Sequence, residues 1–261
     1  KQGKIIFTLF FFILYSDYIN NMKKLFKQIS LYIFTCTIIY SSEVTNQLSA
    51  SYYNYGGNYN YAYYDVSWFY SIIGDINKGS INLPDTEFSI FLSNSKSTYE
   101  GYLYTNDANL VLKTDLYANQ KFSPFLIFQW TFDSTTALDY RINPGIGGKI
   151  RMGKGFSISY AGLWEIEKYT GYKENSFFRH SFRPKQKLYP IEGVKIEEQL
   201  FYKPTYNFDS YLIENILSIN IDTVIPGVSL NIQYNYNLNS NPPAGYKKED
   251  TYVSFGFSLQ L

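Results

Sequence analysis

The sequence predicts an all-β chain, a single antiparallel transmembrane β-barrel of about 10–12 strands preceded by a helical signal segment. Three observations carry that prediction. Apolar and polar residues alternate over long stretches: Val228, Leu230, Ile232, Tyr234, Tyr236 and Leu238 interleave with Ser229, Asn231, Gln233, Asn235, Asn237 and Asn239. The 261 residues include 28 Tyr, 21 Phe and 3 Trp, yet mean hydropathy is -0.23, so ring surface is abundant and aliphatic surface is not. Tyrosine favours the boundary between water and hydrocarbon. The third observation is a short apolar run behind a basic, methionine-led segment.

Taken in chain order, residues 1–21 read as an upstream extension outside the mature protein, 22–42 as a signal peptide and 43–261 as the barrel. Met22-Lys23-Lys24-Leu25-Phe26-Lys27 supplies a cationic start, and Ser41-Ser42-Glu43 offers small residues for cleavage. The apolar run between them, Ile29 to Tyr40, is shorter than the roughly 20 residues of a membrane-spanning helix. The single cysteine, Cys36, excludes an intramolecular disulfide framework. Ile33-Phe34-Thr35 before it lacks the small residues of a lipidation signal. With 23 basic and 22 acidic residues the formal net charge is +1, which leaves no electrostatic footprint for nucleic acid.

From Ser49 onward, segments of roughly 9–14 alternating residues are separated by Gly, Pro, Asn, Asp or Lys, the antiparallel strand signature. Tyr64, Val66, Trp68, Tyr70 and Ile72 share one face; Phe88, Ile90 and Leu92 share the next. Leu110, Leu112, Leu116 and Ala118 oppose Asn109, Lys113 and Asp115, and Leu126, Phe128, Trp130 and Phe132 oppose Gln129, Thr131 and Asp133. The alternation runs from Tyr140 through Pro144 to Met152, then from Phe156 to Ile166. It lapses in parts of Phe178 to Pro184, Val194 to Tyr202 (Glu198 falls on the apolar face) and Tyr211 to Ile221. Val253, Phe255, Phe257, Leu259 and Leu261 close the series. Asn94 to Ser97, Tyr169 to Asn175 and Asn239 to Glu249 are the long polar loops expected outside, opposite short periplasmic turns.

A soluble barrel turns its apolar face inward and a membrane barrel turns it to lipid; the ring content decides for lipid, because so many rings would overfill one soluble core. The polar face then lines a lumen. It carries Asp65, Glu87, Lys113, Asp115, Arg141, Lys149, Arg151, Glu165, Glu167, Arg179, Arg183, Lys195, Glu197, Lys203 and Glu214. Within that set a lumen charge network is expected among Asp115, Asp133, Arg141, Lys149, Arg151, Glu165, Glu167, Arg179, Arg183, Lys195 and Glu197, since confined charges need partners. Arg141, Lys149, Arg151, Arg179 and Arg183 would favour anions if they met at one height. Ion pairing to Glu165, Glu167, Asp115 and Asp133 is the competing and preferred expectation.

Catalysis is not expected. The one histidine, His180, falls with Phe178 and Phe182 on the lipid side. One histidine and one cysteine make no metal cluster, and no cofactor is implied. The glycines of 56–57, 145–148 and 153–155 lack the following helix of a phosphate loop, so they mark turns, bulges or crowded lumen positions, with Lys154 at a hairpin tip. Two other readings are open: a lipid-modifying outer-membrane enzyme using His180 with Ser181 or Ser176, and a soluble periplasmic barrel holding an apolar ligand.

The distal part resembles the salt-induced, YdiY-like outer-membrane protein family of unknown function. The resemblance rests on Tyr140 to Gly147, Phe182-Arg183-Pro184, Tyr202-Lys203-Pro204 and, most specifically, Asn241-Pro242-Pro243-Ala244-Gly245-Tyr246-Lys247-Lys248-Glu249-Asp250-Thr251 before the last strand. It implies an outer-membrane barrel of a Gram-negative bacterium without established enzymatic activity, and a link to salt stress. Its partners would be outer-membrane lipid, lipopolysaccharide and the barrel-assembly machinery.

Overall fold

The computed structural model describes residues 40–57, 60–78 and 80–260. They form twelve strands: β1 Tyr40–Gly56, β2 Asn60–Lys78, β3 Ile81–Tyr99, β4 Tyr102–Asp115, β5 Phe122–Asp133, β6 Leu138–Gly153, β7 Phe156–Tyr169, β8 Asn175–Leu188, β9 Val194–Pro204, β10 Tyr211–Asp222, β11 Val228–Asn239 and β12 Glu249–Gln260. Each pairs antiparallel with its neighbour in sequence, and Gln47 to Ala50 of β1 pair with Phe257 to Gln260 of β12 to close the barrel. Closure removes both sheet edges, so no row of backbone N–H and C=O groups is left unpaired at a free edge.

The expected signal segment lies outside the described residues except at its end: β1 opens at Tyr40, with Tyr40 opposite Asp75 and Ser41 opposite Gly74, so the boundary drawn at 42 falls within β1. Leu116 and Ala118 belong to the turn after β4, where Tyr117 has φ 55°, and not to a strand face. Asn94 to Ser97 is not a loop; it lies inside β3, paired with Val66 to Tyr63 on one side and with Ala108 to Thr105 on the other. It is the polar, long-loop end of a 19-residue strand.

Two rims follow from the topology. One holds the start of β1, the end of β12 and the connections 116–121, 154–155, 189–193 and 223–227; the other holds 100–101, 134–137, 170–174, 205–210 and 240–248. The latter includes both remaining segments expected as long outer loops. The former is not uniformly short, since 116–121 and 189–193 are more than tight hairpins. Lys154, at φ 48° between Gly153 and Gly155, does form a hairpin tip. A Cβ on Gly155 would sit 2.2 Å from the Lys187 carbonyl oxygen, so this hairpin can tuck against β8 only without a side chain there.

Register settles the faces. Trp68, Leu92, Leu110, Trp130 and Ile142 are successive cross-strand partners, an outward apolar row from β2 to β6. On later strands the difference in exposure is plain: Trp164 is 51% exposed and its neighbour Glu165 0%; Phe257 is 61% exposed and Ser258 4%. The exterior is greasy and the charges are inside. Tyrosines crowd the long-loop rim, where the rings of Tyr52 and Tyr64 meet tilted at 5.1 Å and Tyr102 and Tyr104 stand exposed.

The β8–β9 ladder is thin. It is registered at Phe182 with Tyr202 and from Lys185 to Leu188, with a lone bridge from Arg179 to Thr205. Pro184 has no N–H to contribute at the gap.

Candidate functional site: the lumen

The inner face of β4 to β9 gathers most of the expected network, as separate clusters instead of one chain of charges. In the first, Arg141 on β6 donates to Glu167 at 2.7 Å and to the Tyr169 hydroxyl at 2.8 Å, with its Nε 3.6 Å from Glu165. Arg179 on β8 reaches the same Glu165 at 2.7 Å and donates to the Lys203 carbonyl at 2.8 Å. Glu165 on β7 thus lies between two guanidiniums with no exposed side-chain surface. Such a pair gains little net free energy over apolar packing, but losing one member strands a buried charge.

In the second cluster Asp115 takes Lys149 at 3.0 Å, Lys113 beside it and the Ser123 hydroxyl at 3.3 Å. The third centres on Glu197, which Lys195 approaches at 3.1 Å and Lys187 at 3.8 Å, with Lys185 closer still. Lys203 and Glu214 pair separately at 3.0 Å.

Three expected members stand apart. Asp133 accepts from the backbone N–H of Thr135 at 2.8 Å and of Thr136 at 3.2 Å, capping the turn after β5. Arg151 donates to the Gln120 carbonyl at 2.7 Å near the opposite rim. Arg183 donates from Nε to the Ser159 hydroxyl at 3.1 Å and lies over the Phe201 ring at 5.5 Å. Among the described residues no carboxylate lies within ion-pairing distance of Arg183. The five cations do not meet at one height; three are absorbed in ion pairs.

An apolar patch on the inner wall was not expected. Phe125, Ala161 and Leu163 are buried together, with Ile127 packed against them. The glycines of β6 make room for it: a Cβ on Gly145 would lie 2.4 Å from Leu163 Cδ2, and one on Gly147 would lie 2.5 Å from Phe125 Cζ. The sequence signal exists in hindsight. Phe125-Leu126-Ile127-Phe128 and Ala161-Gly162-Leu163-Trp164 are apolar in both phases of the alternation.

His180 faces outward. Its Nδ1 is 2.8 Å from the Tyr160 hydroxyl, and its ring lies among Phe178, Phe182, Tyr206 and Phe208 at 5.2–6.4 Å. Ser181 points the other way, into the lumen, so His180 and Ser181 are on opposite sides of the sheet. Ser176 is opposite Ile166, at the start of β8. Glu198 keeps its outward phase and accepts from Asn215 Nδ2 at 3.4 Å.

No family model matches the sequence, and no curated protein matches it either. Among solved structures the chain is similar to the NanC porin, with 13% identity, a TM-score of 0.50, and coverage of 82% of this chain and 100% of that one. The fold is porin-like. The KdgM porin is matched at 11% identity and TM-score 0.46 over 83% of this chain and 99% of that one. The translocator domain of the autotransporter NalP from Neisseria meningitidis is matched at 10% identity and TM-score 0.44 over 92% and 96%.

Proposed function

We propose that this chain is an outer-membrane β-barrel of a Gram-negative bacterium, a structural or narrow-conductance envelope protein and not an enzyme. The observation that carries the reading is the closed twelve-strand barrel with an apolar exterior and ionic side chains turned inward. Twelve strands stand between small barrels filled by side chains and the 16-strand porins with wide channels. The packing of Phe125 and Leu163 over the β6 glycines narrows one side of the lumen further.

The finer reading is membership of the YdiY-like family with a role under salt or osmotic stress. It is supported by the Pro242-Pro243-Ala244-Gly245-Tyr246-Lys247-Lys248 stretch, which lies on the long-loop rim between β11 and β12. A leader peptide ending near Ser42, the barrel-assembly machinery and lipopolysaccharide belong to the same reading.

Planar-bilayer recording on refolded protein tests the pore. Small, discrete steps in potassium chloride are expected, and their absence at every salt concentration would leave a plugged scaffold. Growth of a deletion strain at raised salt tests the stress role, where an unchanged growth rate overturns it.

A further inference from the structure

Glu198 serves neither the lumen nor a rim. Register places it outward on β9, opposite Gln186 on β8 and Leu217 on β10. Its outward neighbours along β9 are Ile196 and Leu200, so the carboxyl stands within the apolar face. Asn215 is outward on β10, opposite Leu200. A carboxyl on the lipid side of a barrel costs free energy that an apolar side chain would not, and an ionisable group at that depth calls for a hydrogen-bonding partner.

The chain supplies only part of one. Asn46, also on the outer face, accepts from Trp68 Nε1 at 2.8 Å, a well-made bond. Asn215 Nδ2 reaches Glu198 Oε1 only at 3.4 Å, and the Asn215 carbonyl oxygen is buried without a hydrogen bond. Among the described residues Glu198 has no cation within ion-pairing distance. Lipid tails offer neither donor nor acceptor. The wall beside this pair is also incomplete, since the β8–β9 ladder has no registered pair between Phe182–Tyr202 and Lys185–Gln199, and backbone groups left unpaired towards hydrocarbon are costly.

With the apolar face in hydrocarbon, as proposed for this barrel, we infer that the outer face of β8 to β10 is where a second copy of the chain docks, about a two-fold axis along the membrane normal. The occupant is a second copy because the patch is complementary to itself. It carries an acid, Glu198, beside a carboxamide, Asn215, that both donates and accepts, so a two-fold rotation sets each acid against the other copy's amide with no second kind of partner. Within a membrane, apolar contact alone does not distinguish protein from lipid, and polar groups and close packing hold neighbours together. Ile196, Leu200 and Leu217 supply the packing around the polar pair.

Sedimentation equilibrium of the full chain in density-matched detergent micelles tests it. A reversible dimer is expected. Glu198→Leu and Asn215→Leu are each expected to weaken it by about tenfold or more. Glu198→Gln, which keeps a group that donates and accepts, should weaken it less, and Ile146→Ala, exposed on the outer face of β6, hardly at all. None of these changes adds a charge to the lipid side, and heat-modifiable gel mobility shows which variants are folded. In a Cys36→Ser background, oxidation in liposomes is expected to cross-link two copies through Leu200→Cys and not through Ile146→Cys. A folded chain that stays monomeric at every concentration, a dimer as tight in Glu198→Leu as in the unmodified chain, or cross-linking through position 146 in place of 200 would each overturn the interface and leave the membrane reading standing. A chain that stays in solution without detergent would overturn both.

Discussion

The two walls of this lumen are built on different principles. From β4 to β9 the inner face is charged and packed, with Glu165, Asp115 and Arg179 almost wholly buried, Glu165 with Arg179 and Asp115 with Lys113 and Lys149. From β11 through β1 to β3 it is dominated by neutral Ser, Asn and Gln, such as Asn231, Gln233 and Asn235 on β11 and Ser49 and Ser67 on β1 and β2. There the bonds are short-range amide contacts, Asn231 to Asn220 at 2.9 Å and Gln233 to Asn235 at 3.1 Å. Both walls use the same alternation and hide the same backbone. The first commits the barrel to ionic partners; the second pairs neutral amides and hydroxyls, and Asn235 and Ser258 are as buried there as the charges are opposite.

The sharpest way to break this contrast is Glu165→Ala. It leaves Arg141 and Arg179 facing each other in the interior and is expected to cost about 3–5 kcal/mol. Urea unfolding followed by tryptophan emission measures it. Phe257→Arg, behind the neutral wall but on the outer side, is expected to cost about 2–4 kcal/mol if hydrocarbon surrounds both walls alike. Reconstitution yield and unfolding midpoint in liposomes report it, with Ser258→Arg on the lumen side expected to be milder. Gly147→Val drives a side chain into the Tyr160 carbonyl and the Phe125 ring and should lose about 1–3 kcal/mol by overpacking. The smallest effect belongs to Asn235→Ala, about 1 kcal/mol, the ordinary net value of a hydrogen bond. Losses in Glu165→Ala and Asn235→Ala of equal size would erase the distinction between the walls.

The barrel was legible because period two is imposed by the strand itself and survives even Pro144. The phase at His180 and Glu198 was legible for the same reason: neither polar residue shifts the register to hide itself, and each instead finds an outward partner, Tyr160 and Asn215. Strand ends were harder. Asn94 to Ser97 has loop composition, and nothing local distinguishes a loop from the polar continuation of a long strand. Charge partners were legible as a set but not as pairs, since Arg141 and Glu167 meet through a register fixed 26 residues apart. The apolar patch escaped because it breaks the alternation that located the strands: Phe125 and Leu163 occupy lumen phase, and the glycines that admit them are on the neighbouring strand.

The central claim is that hydrocarbon, not water, covers the apolar face. All three tryptophans of the chain, Trp68, Trp130 and Trp164, lie on that face. Unmodified protein reconstituted into brominated phospholipid tests it in a single fluorescence measurement. Blue-shifted emission is expected, strongly quenched by the bromolipid and little affected by acrylamide. Red-shifted emission, quenched by acrylamide and indifferent to bromine, would contradict it.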